Sequence, residues 1–166
     1  EYVKLDKVYE AEVVVGISTE TGDWEGKKKK IKEVKQIISK KDIEEALNSL
    51  KGEIELPVSI YSAIKKDGVP LYKRARQGEE VKEPIRKMKI YDIRLNDIKQ
   101  TKITDLEEEK ISCFILKIEV KVGSGTYIRS IAEEIGRKLG YPATIKELRR
   151  TQVGDFKVED ARKVEL

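Results

Sequence analysis

The sequence predicts one domain of mixed α and β structure with a long arm inserted in it, on three observations. Apolar residues alternate with period two in several segments, the mark of half-buried strands. They recur at helical spacing in others. Between residues 53 and 84 neither period holds, although the stretch carries Pro57, Pro70 and Pro84. A plain loop of that length is rare in a compact domain unless it has a function. The chain of 166 residues suits a single core. No apolar run approaches the ~20 residues that span a bilayer.

The first strand is expected over Val8–Ile17. Tyr9, Ala11, Val13 and Val15 fall on one face, with Glu10 and Glu12 on the other. Residues 18–26 are dense in turn formers and read as an ordered loop. Ser39 is the expected N-cap of a helix, with Asp42 three residues on, a stripe of Ile43, Ala46, Leu47 and Leu50, and Gly52 as its stop. A strand is expected over Lys87–Leu95, followed by a polar connection at 96–110. The clearest strand is Cys113–Val122, where Phe114, Leu116, Ile118, Val120 and Val122 alternate with Lys117, Glu119 and Lys121. Gly123-Ser124-Gly125-Thr126 then turns the chain into a helix with Ile128, Ile131, Ala132, Ile135 and Leu139 on one side. Within it Glu133–Arg137 and Glu134–Lys138 are expected as i,i+4 pairs, and Gly140 and Pro142 end it. Thr144 and Glu147 have the spacing of a capping box, which predicts a short helix carrying Leu148, Arg149 and Arg150. A strand or loop near 153–156 and a helical turn at 158–164 complete the reading.

The formal net charge is +4, with one cysteine and no histidine. These residues cannot build a zinc site or a Ser-His-Asp triad, and a lone Cys113 points to a reducing cytoplasm. Lys27, Lys28, Lys29, Lys30, Lys32, Lys35, Lys40 and Lys41 stand close together with Glu33 as the one acid among them. A solvated face accounts for such a run; a phosphate-facing patch is the alternative. Strand, Gly-Ser-Gly-Thr and helix do not make a nucleotide loop, because the lysine after the second glycine is missing. Arg129 is nonetheless unusual. A cation in the first turn of a helix opposes the dipole, so it either answers a carboxylate or phosphate or stands at the surface at modest cost.

The ordered set of motifs carries a resemblance. Lys7-Val8-Tyr9 opens a strand, and Gly16, Thr19, Thr21, Asp23 and Gly26 follow at fixed spacing. Tyr61-Ser62-Ala63-Ile64-Lys65 precedes Gly68, Leu71-Tyr72, Ala75-Arg76 and Gly78. Gly125-Thr126-Tyr127-Ile128-Arg129-Ser130, Gly136, Leu139-Gly140, Leu148-Arg149-Arg150-Thr151, Gly154 and Phe156 complete it. In this order they resemble the bacterial TruB tRNA pseudouridine synthases over nearly the whole chain.

The resemblance implies a pseudouridine-synthase-like α+β fold: a mixed, mostly antiparallel sheet flanked by helices, with a protruding arm at 53–84. It implies isomerisation of uridine to pseudouridine in the T loop of tRNA, without cofactor or metal, by a cytoplasmic monomer. Arg129 would orient the nucleophilic aspartate, Tyr9 would stack on a base flipped out of its helix, and Tyr127 and Leu148 would line the pocket. Lys65, Lys66, Lys73, Arg74 and Arg76 would meet phosphates of the T-arm. Two departures accompany the match. Leu56-Pro57-Val58 stands where the family commonly has Gln-x-Pro-Pro. The Gly-Thr-Leu-Asp segment that carries the family's nucleophile is not in the sequence, which opens on Glu1. The expectation is therefore a catalytic domain over 1–166, incomplete at its N-terminus and inactive alone. The alternative is a non-catalytic module that grips RNA.

Overall fold

The computed structural model describes residues 6–24, 26, 28–60, 65–66, 68–78, 80–104, 109–154 and 156–157. Its elements are β1 (Lys7–Val15), β2 (Ile17–Thr19), β3 (Lys28–Ile31), α1 (Lys40–Asn48), β4 (Gly52–Pro57), β5 (Lys65–Lys66), β6 (Val69–Pro70) and α2 (Leu71–Arg76). There follow β7 (Ile85–Thr104), β8 (Lys110–Val122), α3 (Ile128–Leu139), β9 (Ala143–Val153) and β10 (Phe156–Lys157). One antiparallel sheet runs β10-β9-β1-β8-β7-β4. The two cleanest period-two segments, β1 and β8, are adjacent at its centre, with Ala11 opposite Ile118 and Val13 opposite Leu116. The first strand was expected to reach Ile17. It breaks at Gly16, whose φ of +125° is open to glycine, and the chain restarts as β2, which pairs with β3.

Both long helices cover the same face of the sheet. Ala11, Val13, Leu116, Ile118 and Val120 form one core with Ile43 and Leu47 of α1 and Ile131 and Ile135 of α3. Full burial of a side chain such as Leu47 contributes about 1.5–3 kcal/mol. The opposite face carries Glu10, Glu12, Lys117 and Glu119, and a small cluster in which Val14, Cys113 and Ile115 lie under Trp24 and Ile103.

The expected helix starts hold, but α1 ends at Asn48 with Ser49 as its C-cap, so Leu50 lies beyond the helix and Gly52 opens β4 instead of stopping it. The Ser39 hydroxyl accepts from the Asp42 N–H at 3.1 Å. Gly140 closes α3 in the left-handed conformation, its N–H and that of Tyr141 bonding back to Arg137 and Gly136 carbonyls. The ion pair on α3 differs from expectation: Arg137 grips both oxygens of Glu134, three residues back, at 2.7 Å each. Two lysines of the basic run are bound to the protein itself. Lys32 donates to the Gly140 carbonyl at 2.9 Å and lies over the Tyr141 ring. Lys28 donates to the Thr104 carbonyl at 3.0 Å and lies over Trp24.

Three further expectations are corrected. The polar stretch after Leu95 is not a connection: β7 continues to Thr104, paired with β8 throughout. Its apolar residues beyond Leu95 are sparse: Ile98 packs against the main core and Ile103 against the small cluster on the other face, with only polar residues between them. Thr144–Arg150 is strand rather than capped helix, because pairing along β1 overrides the helix-forming Lys, Glu, Leu and Arg side chains. Register shifts at Val8/Tyr9 and Glu12/Val13 interrupt the alternation that would have marked this strand. Gly52–Pro57 belongs to the sheet as edge strand β4, with Ile54 and Leu56 facing the core side. The excursion from the sheet thus begins at Val58, not residue 53, and its neck is closed by a hydrogen bond from the Val58 N–H to the Pro84 carbonyl at 2.8 Å. Residues 158–164 lie outside the described residues.

Candidate active site

Arg129 stands in the first turn of α3, and of the neighbours its position leaves open the structure supplies a carboxylate. Its Nη2 lies 2.9 Å from Asp23 Oδ2, and its Nη1 donates to the Thr21 carbonyl at 3.4 Å. The Thr21 hydroxyl donates to the other Asp23 oxygen at 2.9 Å. Asp23 therefore accepts at both oxygens, which fixes the carboxylate plane and, through it, the guanidinium. A guanidinium has five N–H donors. Two are committed to these contacts, and Arg129 remains 42% exposed, so its outer edge can receive a second anion.

The loop at 19–24 is held against the start of β9. Asp23 forms a parallel bridge with Ile145, and the Ile145 N–H donates to the Gly22 carbonyl at 3.2 Å. Gly22 has a φ of +79°, and a Cβ there would stand 3.2 Å from the Cβ of Arg129. Only glycine lets the loop lie this close to α3.

Tyr9 and Leu148 come from neighbouring strands. Leu148 pairs with Ala11, and Arg150 pairs with Tyr9, so all four side chains point to the face that carries α3. Leu148 is 45% exposed, unusual for a leucine on the core side of a sheet. Tyr9 and Tyr127 are half-buried against the main core, and Tyr127 is the N-cap residue of α3, two positions before Arg129. Ile145 pairs with Val13, so the Arg129–Asp23 contact lies beside that rung, with Ala11 and Tyr9 at successive steps of roughly 6.6 Å along β1. Strand geometry also separates two arginines: Arg150 shares the face of Tyr9, and Arg149 lies opposite Glu10 on the charged face. Asp23 and Arg150 were not singled out as site residues from the sequence. The fixed Thr-x-Thr-x-Asp spacing was the signal for the first; the mistaken helix hid the second.

The arm residues are placed in part. Arg74 and Arg76 lie on α2 with exposed Lys73, and the Arg76 guanidinium sits 5.4 Å from the Tyr72 ring centre. Lys65 and Lys66 form β5, paired with β6. Tyr61, Ser62, Ala63 and Ile64 lie outside the described residues.

Comparison with known proteins identifies the family. Residues 1–128 match the TruB family pseudouridylate synthase N-terminal domain, and residues 129–166 match the tRNA pseudouridylate synthase B C-terminal domain. That division falls inside the first turn of α3, within one continuous core. The tRNA pseudouridine synthase B of Bacillus anthracis is 40% identical over 154 residues, covering 93% of this chain and 48% of that protein. The protein of the same name in Bacillus subtilis is 41% identical over 155 residues, covering 93% and 47%. The chain thus spans about half the length of the curated relatives it matches. Among solved structures, an H/ACA ribonucleoprotein bound to a substrate RNA containing 2′-deoxyuridine aligns with a TM-score of 0.51 at 22% identity, covering 96% of this chain and 32% of that one. A Cbf5-Nop10-Gar1 complex aligns with a TM-score of 0.51 at 23% identity, covering 95% and 33%. These two share the fold. With the TruB family N-terminal domain matched over residues 1–128, more than half of the sequence, the chain belongs to the TruB family of pseudouridylate synthases.

Proposed function

We propose that these residues form the arginine-bearing part of a catalytic core that isomerises uridine to pseudouridine in the T loop of tRNA. The observation that carries this reading is the Arg129 guanidinium, clamped on one side by Asp23 and Thr21 and 42% exposed on the other. Asp23 does not suit the nucleophile's part, since both of its oxygens already accept hydrogen bonds. A second carboxylate on the open edge of Arg129 would be kept ionised and aimed. The sequence holds no Gly-Thr-Leu-Asp, so that carboxylate comes from outside these residues, and the polypeptide alone does not turn over.

In the reaction the carboxylate attacks C1′ as the bond from C1′ to N1 breaks, the base turns, and C5 then bonds to C1′ as the carboxylate leaves it. The C5 proton passes to solvent and N1 regains one, so the change is an isomerisation. Tyr9 stacks on the flipped base, while Tyr127 and Leu148 bound its pocket. The excursion at 58–84 grips the T-arm, with Lys65, Lys66, Lys73, Arg74 and Arg76 supplying charges for its phosphates. The protein acts as a cytoplasmic monomer without metal or cofactor.

The test uses the chain joined downstream of a Gly-Thr-Leu-Asp-bearing segment. Tritium release from T-arm RNA carrying 5-tritiated uridine supports the reading. RNA binding without release by the joined chain favours a gripping module with no chemistry of its own.

A further inference from the structure

Thr19, at the end of β2, and Thr144, near the start of β9, are 4% and 0% exposed. A buried hydroxyl must find partners, and these two oxygens lie 3.3 Å apart. Proton accounting gives the direction of that bond. The Thr19 hydroxyl has one proton and donates it to the Asp23 carbonyl at 2.6 Å. It accepts from the Gly22 N–H at 3.1 Å. Its remaining lone pair therefore receives the Thr144 proton.

The consequence runs to Arg129. Thr19 holds the backbone of Asp23, and Asp23 holds Nη2 of Arg129 at 2.9 Å. Thr144 belongs to a strand paired along β1, so it anchors this chain of contacts to the rigid sheet. Any loop shift is passed on, because Gly22 already packs against the Arg129 side chain.

We infer that Thr144 is a positioning residue: its hydroxyl, through Thr19 and Asp23, fixes the plane of the Arg129 guanidinium. This rests on the reading of Arg129 given above, and its test separates the two. Thr144→Val keeps the branched shape and deletes the donor; Thr144→Ser restores the donor. In the joined chain, single-turnover isomerisation should fall about tenfold in Thr144→Val, a tenth of the ~100-fold that a full misplacement can cost. Affinity for T-arm RNA should stay within about twofold, because the RNA is gripped elsewhere. Thr144→Ser should recover most of the rate, a rescue that bulk packing would not give.

A normal rate in Thr144→Val beside an inactive Arg129→Lys would overturn the role of Thr144 and leave that of Arg129. Normal rates in both would overturn the reading of Arg129 itself, and the inference with it. Independently of turnover, nitrogen-15 spectra of the 166-residue chain should show separate Nη signals for Arg129 in the parent and in Thr144→Ser, merging in Thr144→Val. Separate signals that persist in Thr144→Val would overturn the inference. Should Thr144→Val not fold, Thr144→Ala serves the same measurements; failure of both to fold would make Thr144 a folding residue and overturn the positioning role.

Discussion

Arg129→Lys should nearly abolish turnover while leaving the fold intact. The guanidinium reaches two acceptors at once, Asp23 Oδ2 at 2.9 Å and the Thr21 carbonyl at 3.4 Å, and still presents an open edge. A lysine ammonium is a point donor on a flexible stem; it can meet Asp23 but cannot fix a second carboxylate in the same plane. The loss of stability is small. The two side chains are 42% and 29% exposed, so solvent screens the pair and its removal costs within about 1 kcal/mol. The loss of rate is large, since misplacing an attacking group by about 1 Å can cost ~100-fold, or about 2.7 kcal/mol of barrier. Thermal unfolding of the 166-residue chain and single-turnover kinetics of the joined chain measure the two effects. A mutant with parental turnover would remove Arg129 from the mechanism, and one that fails to fold would make it a structural residue.

Tyr9→Phe should keep most of the affinity for T-arm RNA, whereas Tyr9→Leu should lose about 1–3 kcal/mol; equal behaviour in a filter-binding titration would leave Tyr9 only a strand residue. Gly136→Ala should destabilise the fold by about 1–3 kcal/mol in urea titration, because the added methyl would meet the Tyr141 carbonyl and Ala143 Cβ at 2.5 Å. Ser130→Ala removes a 2.8 Å bond to the Pro57 carbonyl at the arm's neck. It should cost about 1–2 kcal/mol and speed hydrogen exchange at Val58. Burial pushes the Cys113 thiol from 9.0 up to about 11, so the native state holds that proton more tightly than the unfolded chain. Its contribution is whole below pH 9 and lost as pH rises toward 11, about 3 kcal/mol in all. Cys113→Ala should flatten the fall in stability across that window.

What the sequence disclosed depended on whether local pattern and tertiary environment agreed. In β1, β8, α1 and α3 they agree: Val13, Leu116, Leu47 and Ile131 each occupy the face their period assigns. In β9 they conflict. Lys146-Glu147-Leu148-Arg149-Arg150 favours helix locally, and the shifted pairing with β1 hides the alternation. The far end of β7 was hidden for a different reason: its two isoleucines, Ile98 and Ile103, pack on opposite faces with only polar residues between them, so no period-two run marks the strand. Arg129, Tyr9, Tyr127 and Leu148 were singled out through motif order, and the dipole argument left a carboxylate, a phosphate or plain solvent as the neighbour of Arg129. Which carboxylate it is depends on the loop folding back over β9, a long-range contact between Asp23 and Ile145 that no local spacing specifies.

The central claim is that Arg129 orients a nucleophile supplied from outside these residues. Tritium release from 5-tritiated T-arm RNA tests it in three samples: the 166-residue chain, the chain joined to a Gly-Thr-Leu-Asp-bearing segment, and the joined chain with Arg129→Lys. Release is expected from the second alone. Release from the chain by itself, or undiminished release from the Arg129→Lys form, would contradict the account.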